Sequence, residues 1–396
     1  MHYTPRPQVM SELRASLICA LLAAVGPIAL SIFAPALPAI AIALGAPMGQ
    51  AQLTISLFFA GFAVAQLVCG PLSDGLGRKP VLLAFLGLFT FGGFLAAFAQ
   101  TIEVMIAARI AQGLGAAVGI ALSRAIVRDL FEGARGARVQ SSVSIVLAIG
   151  PTVAPYIGGL LMTFADWRAI FYFLGAVGAG TMAIVVVCLR ETVPFDLSRI
   201  HLRRVFASYG AVLRQPKFLL PSLIIAGTSG TVYAQAPILP FVMIDQIGLS
   251  AGEFGVAMLM QPIAFILGSI VVRQAVASIN DKRMTAFGLV FLLACALALP
   301  VTHLFVPPSY WSVMLPIAVW GWGVAFILPI MTTAALEAFP TNSGAAAAML
   351  GFLQMGSGLV GGLVAGQFSD PSQALFFITP AMLAVALVSW VIWARR

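Results

Sequence analysis

Few side chains in this sequence could carry chemistry, and their positions are informative. Thirteen acidic residues, from Glu12 to Asp370, all fall in loops or near the ends of apolar stretches. His2, His201 and His303 are too peripheral in the chain to form a relay. Cys19, Cys69, Cys188 and Cys295 lie within apolar segments and show no metal or redox spacing. There is no HExxH pair, no paired aspartates, and no phosphate-binding glycine loop followed by Lys-Ser/Thr. These absences argue against an integral membrane enzyme, against a metal or other cofactor, and against self-contained ATP-driven pumping. What remains is the chemistry of binding and of moving charge. Its carriers are Arg109 inside an apolar stretch, a set of deep glutamines, and a charged glycine-rich segment at 70–80.

The elements that must hold these groups follow from composition. Of 396 residues, 61% are hydrophobic and 9% charged, against roughly 25% charged in a soluble domain. Mean hydropathy is +1.04. Apolar stretches of spanning length fall near 15–43, 51–73, 79–100, 104–128, 138–164 and 168–190. Six more lie near 218–246, 253–275, 284–305, 309–336, 343–368 and 372–394, with Pro300 and His303 weakening the end of the ninth. The expected fold is therefore an all-α membrane protein of twelve transmembrane helices. Its domains are an N-terminal six-helix bundle (1–190), a cytoplasmic linker (191–217) and a C-terminal six-helix bundle (218–396), related by a pseudo-twofold about the membrane normal.

Charge tests this count. With the N-terminus in the cytoplasm, all but Arg109 and Arg168 of the 21 basic residues fall on the cytoplasmic side, as the positive-inside rule requires. Both termini are then cytoplasmic. The pI near 9.8 reports orientation and a preference for anionic membrane lipid, not nucleic acid.

Between spans two and three, Gly70, Gly75 and Gly77 allow a sharp turn flanked by Asp74, Arg78 and Lys79. Asp74 could sit against the positive N-terminal end of another helix, and Arg78 could pair with an acid such as Asp129. Arg109 lies roughly 7–8 Å into span four at 1.5 Å per residue. It must face the protein interior or a wet cavity, or else snorkel to the interface. In span five, Pro151 and Pro155 remove backbone donors, while Gly150, Gly158 and Gly159 permit close helix approach. Span eleven has a similar small-residue surface, with Gly344, four alanines, Gly351, Gly356, Gly358, Gly361, Gly362 and Gly366, which makes it a candidate for the other side of the same interface.

Three motifs carry a family resemblance. Gly70-Pro71-Leu72-Ser73-Asp74-Gly75-Leu76-Gly77-Arg78-Lys79-Pro80 resembles the loop signature of the major facilitator superfamily. Arg109-Ile110-Ala111-Gln112-Gly113-Leu114-Gly115-Ala116 resembles the arginine-containing motif of its drug/proton antiporters. Gly150-Pro151-Thr152-Val153-Ala154-Pro155-Tyr156-Ile157-Gly158-Gly159 resembles their antiporter motif. Further segments, including Arg124-Ala125-Ile126-Val127-Arg128-Asp129-Leu130 and Leu350-Gly351-Phe352-Leu353-Gln354-Met355, are similar to the bicyclomycin/chloramphenicol resistance (Bcr/CflA) branch. The resemblance covers essentially the whole chain. It implies efflux of small, partly apolar compounds across a bacterial inner membrane, by a monomer, with Arg109 serving proton coupling. It also implies that Asp74 meets the start of span eleven at Asn342 and Ser343. Two positions depart from the pattern: Gly75 stands where an arginine is usual, and Ser31 where an aspartate is usual in span one.

Ser31, Phe33, Phe58, Arg109, Gln112, Tyr233, Gln235, Gln261, Trp320, Phe352 and Gln354 are the expected substrate-binding residues, as polar or aromatic groups deep in the spans. Gly70, Asp74, Gly77, Arg78, Lys79, Asp129, Gly150, Pro151, Pro155, Gly158 and Gly159 are the expected gating residues. The leading reading is a proton-coupled secondary exporter working by alternating access. Because no acid lies within span one, a facilitator or anion-coupled exchanger of a metabolite or siderophore stands beside it.

Overall fold

The computed structural model describes residues 10–200, 202–275, 279–306, 309–339 and 343–395. The first six crossings are α1 (Glu12–Ala43), α2 (Met48–Leu76), α3 (Arg78–Ala97), α4 (Ile102–Leu130), α5 (Gly133–Phe164) and α6 (Arg168–Cys188). A short helix, α7 (Leu202–Leu213), lies in the connecting segment. The second six are α8 (Pro216–Gln235), α9 (Ala251–Ala275), α10 (Asp281–Phe305), α11 (Tyr310–Glu337), α12 (Ser343–Ala365) and α13 (Pro371–Ala394). Among the described residues there is no strand. Eleven helices are long and apolar enough to cross a membrane. The exception is α8, whose hydropathy is diluted by Thr228, Ser229, Thr231 and Gln235.

Proline explains most breaks. α1 tightens to a 3-10 turn at Ala34–Ala36, where Pro35 and Pro38 withhold backbone donors. The expected continuous stretch at 218–246 is divided: α8 stops at Gln235, Pro237 and Pro240 follow, and Phe241–Gln246 form a π-helical turn. Pro300, by contrast, is absorbed inside α10, which runs on to Phe305. The glycine-rich segment at 70–80 also differs from expectation. α2 stays helical through Gly70, Asp74 and Gly75, and the reversal occurs at Gly77 alone, with φ +94°.

Within the N-terminal bundle α4 packs on α1, α2 and α3, and α6 packs on α3; in the C-terminal bundle α8 packs on α11, α12 and α13, and α11 packs on α9 and α10. Lipid tails offer no hydrophobic drive between helices, so association relies on close van der Waals fit. Gly61 of α2 illustrates it: a Cβ there would stand 2.6 Å from the Ile110 carbonyl oxygen of α4. Large apolar side chains such as Phe91, Val187, Phe305 and Phe377 are exposed on the outside, where they meet lipid. Between the bundles two helix pairs make the principal contacts, α2 with α12 and α5 with α9.

Candidate functional site

A cavity of about 570 Å³ lies between the bundles, walled by α1, α2, α4 and α5 on one side and α8, α9, α11 and α12 on the other. That volume falls in the range of about 300–1,000 Å³ typical of small-molecule sites. Five of the expected binding residues lie on its wall: Ser31, Phe58, Tyr233, Gln261 and Gln354. Gln354 donates from Nε2 to Ser229 Oγ at 2.9 Å, which sets its amide against a second wall residue. The Gln261 Nε2 is buried without a hydrogen-bond partner.

Six expected binding residues lie behind the wall, each for a geometric reason. Arg109 is fully buried. Its guanidinium carbon sits 4.0 Å from the Phe33 ring centroid and 4.4 Å from that of Phe58. Nη1 donates to Gln112 Oε1 at 2.7 Å and Nη2 to the Ala29 carbonyl at 3.3 Å. Phe58 therefore separates Arg109 and Gln112 from the cavity, and Phe33 closes the opposite face against Phe171. Gln235 follows Tyr233 by two residues, about 200° around a helix, so the two cannot share a face. Gln235 instead donates to Thr379 Oγ1 of α13 at 3.0 Å. Trp320 donates from Nε1 to the Thr228 carbonyl at 3.1 Å, inside the C-terminal bundle. Phe352 is offset from the wall stripe Ala347, Leu350, Gly351 and Gln354, and packs against the C-terminal core.

The wall also holds residues that sequence reasoning passed over: Gln66, Thr152, Thr332, the aromatics Phe62, Phe254 and Phe265, and Arg124. Arg124 was assigned to the cytoplasmic loops by the positive-inside count. Helical spacing from Ile120 would have put both on one face.

One end of the cavity is closed by backbone contacts between the bundles. A Cβ on Gly159 of α5 would meet the Ala251 carbonyl of α9 and come within 3.1 Å of Gly252 Cα. One on Gly255 of α9 would stand 2.6 Å from the Pro155 carbonyl oxygen. On the other seam, a Cβ on Gly49 would be 2.7 Å from the Gly366 carbonyl oxygen. Gly158 packs on the Ile32 carbonyl within its own bundle, whereas Gly150 makes only an ordinary contact with Ile28. Pro151 and Pro155 line the cavity.

At the opposite end the α2–α3 reversal is tied by charge. Arg78 is nearly buried and donates from Nε to Asp129 Oδ2 at 2.9 Å, from Nη1 to Asp74 Oδ1 at 2.5 Å, and from Nη1 to Ser73 Oγ at 2.6 Å. The pairing with Asp129 suggested by the sequence is thus present. Glu191, unnoticed in the sequence, accepts from the Arg78 and Lys79 backbone N–H groups at 2.8 and 3.0 Å and so caps α3 where its dipole favours an anion. Its carboxylate fills the place a Cβ on Gly77 would need, and the positive φ makes the same demand. Lys79 donates from Nζ to the Val186 carbonyl at 2.7 Å. Gly70 has open space around it. Asp74 bonds within its own bundle, and its expected partner Asn342 lies outside the described residues, as does the side chain of Ser343.

The departure at Gly75 has a physical counterpart. The Asp196 backbone N–H donates to the Gly75 carbonyl at 2.8 Å, and the Ile200 side chain occupies the space a side chain at 75 would take. Nearby, Tyr209 of α7 donates its hydroxyl to the Leu67 carbonyl of α2 at 2.7 Å, and burial pushes its phenol up to about 12.

A multi-pass helical membrane protein with a cavity shared by two bundles has the architecture of a carrier. The chain belongs to the Major Facilitator Superfamily, whose profile matches residues 19–235. It is 29% identical to Multidrug resistance protein D of Escherichia coli over 384 residues, covering 96% of this chain and 95% of that one. It is 28% identical to a bicyclomycin resistance protein homolog of Haemophilus influenzae over 380 residues, 93% of each chain. An uncharacterized MFS-type transporter of Bacillus subtilis, YdgK, is 29% identical over 388 residues, 96% of each. Among solved structures, a peptide transporter POT in complex with sulfate superposes with a TM-score of 0.77 at 15% identity, covering 96% of this chain and 94% of that one. The human organic anion transporter MFSD10 superposes at 0.63 and 19%, covering 96% and 99%. At such identities these two similarities speak to the fold alone.

Proposed function

We propose that the protein is a secondary transporter of the bacterial inner membrane that exports small, partly apolar compounds by alternating access. Residues 1–190 rock against 218–396, both termini are cytoplasmic, and the working unit is a monomer. The observation that carries this reading is a cavity walled by both bundles and closed at one end by interlocked glycine backbones. Among the described residues those contacts contain no ion pair, so they can part as a unit. In this assignment the closed end is periplasmic, and the Arg78 cluster belongs to the cytoplasmic end. The similarity to drug-resistance proteins supports drugs or drug-like metabolites as cargo.

The energy source divides two readings. Proton coupling accords with the resemblance. The second reading, a facilitator or anion-coupled exchanger, is favoured by a specific observation: among the described residues no Asp or Glu lies on the cavity wall, and Arg109 is sealed behind Phe58. Arginine does not deprotonate in proteins. The test is flux of a transported drug in proteoliposomes with and without a pH gradient. Flux independent of the gradient sinks the antiporter reading, and absence of flux under both conditions sinks the carrier reading. Ser31→Asp places an acid on the wall and is expected to make flux pH-dependent; an unchanged pH profile would remove Ser31 from the pathway.

A further inference from the structure

We infer that the cavity selects small amphipathic organic anions, seating the acid group on Arg124 and the apolar body against the aromatic wall. The inference rests on the carrier reading above and specifies its cargo.

Arg124 is exposed on the wall and makes no hydrogen bond or ion pair with a described residue. Four other arginines of the N-terminal bundle are committed. Arg78 holds Asp74 and Asp129, Arg135 and Arg138 hold Glu12, and Arg109 is enclosed by Phe33 and Phe58. No carboxylate lies on the wall to balance Arg124. Glu337, which follows the wall residue Leu336 on the opposite bundle, forms no ion pair with it.

An unpaired cation flanked by low-dielectric walls attracts an anion far more strongly than the same charge in water. Arginine presents a planar fork that matches a carboxylate, sulfonate or phosphate. The same wall offers a neutral donor, the Gln261 Nε2, buried without a partner. The remaining surface suits an apolar body, with Phe62, Phe254, Phe265, Met258 and Met355 on it, and methionine adapts to varied shapes. A cation would face Arg124 with no acid to offset the repulsion.

The experiment uses the purified full chain in phosphatidylcholine nanodiscs and three probes of one ring size: 2-naphthoate, 2-naphthamide and 2-naphthylmethylammonium. Titration calorimetry is expected to show naphthoate binding tighter than the ammonium by about tenfold or more, the worth of a charge-assisted hydrogen bond. Arg124→Gln should remove that preference while naphthamide affinity is unchanged, which also shows the cavity to be intact. Arg124→Lys should keep most of the preference. Equal or tighter binding of the ammonium, binding of none of the probes, or uniform weakening of all three by Arg124→Gln would overturn the inference. The last pattern is that of a latch to the opposite bundle. Loss of naphthoate binding when phosphatidylglycerol is added would assign the seat to a lipid headgroup and overturn the small-anion reading. Counterflow in proteoliposomes separates the two levels. Movement of the ammonium without naphthoate overturns the charge assignment and keeps the carrier. Movement of none, with drug accumulation in expressing cells unaltered, overturns the carrier itself.

Discussion

The two bundles have the same number of crossings but treat their polar groups differently. The N-terminal bundle buries charge: Arg109 lies between two phenylalanine rings, and Arg78 gathers Asp74, Asp129 and Ser73 at the α2–α3 reversal. The C-terminal bundle buries neutral groups: Gln235 on Thr379, Trp320 on Thr228, Gln354 on Ser229. Charged hydrogen bonds are stronger and more geometrically demanding than neutral ones. The comparison assigns rigidity and charge recognition to the first bundle and an adaptable neutral wall to the second. α8 and its π-helical continuation, interrupted by prolines, fit the second role.

Four substitutions test the contrast. Arg78→Ala has the largest expected effect, because it takes the arginine from two carboxylates at once. The loss approaches the roughly 3–5 kcal/mol of a broken buried pair, reduced because Asp74 is 53% exposed. A lowered melting temperature in detergent, with drug efflux strongly cut, is the expected outcome; an unchanged melting curve would deny the cluster its structural part. Gly159→Val comes next and acts between the bundles. Its overpacking penalty of about 1–3 kcal/mol should shift the equilibrium away from the state in which this end is closed by roughly 5- to 150-fold. Spin labels on the ends of α5 and α9 would report the widening, and an unaltered distance distribution would count against the glycine gate.

Gln235→Leu tests the neutral bundle. Interhelical hydrogen bonds in membranes average about 0.6 kcal/mol and reach about 1.7 kcal/mol, so a small drop in melting temperature and little change in flux are expected. A collapse of folding would make the second bundle as exacting as the first. The smallest effect on ligand affinity is expected from Arg109→Met. Arg109 forms no ion pair with a described residue, so losing its buried charge relieves a desolvation cost that outweighs leaving Gln112 Oε1 without its donor, and Phe58 stands between this site and the cavity. Melting temperature should hold or rise and drug affinity should stay unchanged. A loss of affinity would show that Phe58 moves aside in the cycle.

Much of this was legible before folding. The apolar stretches, the Arg78–Asp129 pairing and the close-packed glycines of span five could all be read, because each depends on local composition or spacing. The cavity was legible only by halves. Tyr233 and Gln235 look alike in the sequence, yet helical phase turns one to the cavity and the other to α13. Arg109 looked like the functional arginine because a charge deep in a span is costly; Arg124, nearer a loop, was read as a topology signal. Glu191 was invisible because its partners are backbone N–H groups 113 and 112 residues away.

The sequence by itself determined that this chain crosses a membrane many times and which helices are smooth enough to approach one another. Those properties follow from transfer energies and side-chain volume, which each residue carries wherever it sits. The tertiary structure alone decided which polar groups reach the cavity and which are spent within a bundle. That choice depends on helix rotation and on which ring stands in front of which charge. It left Arg109 enclosed and Arg124 exposed.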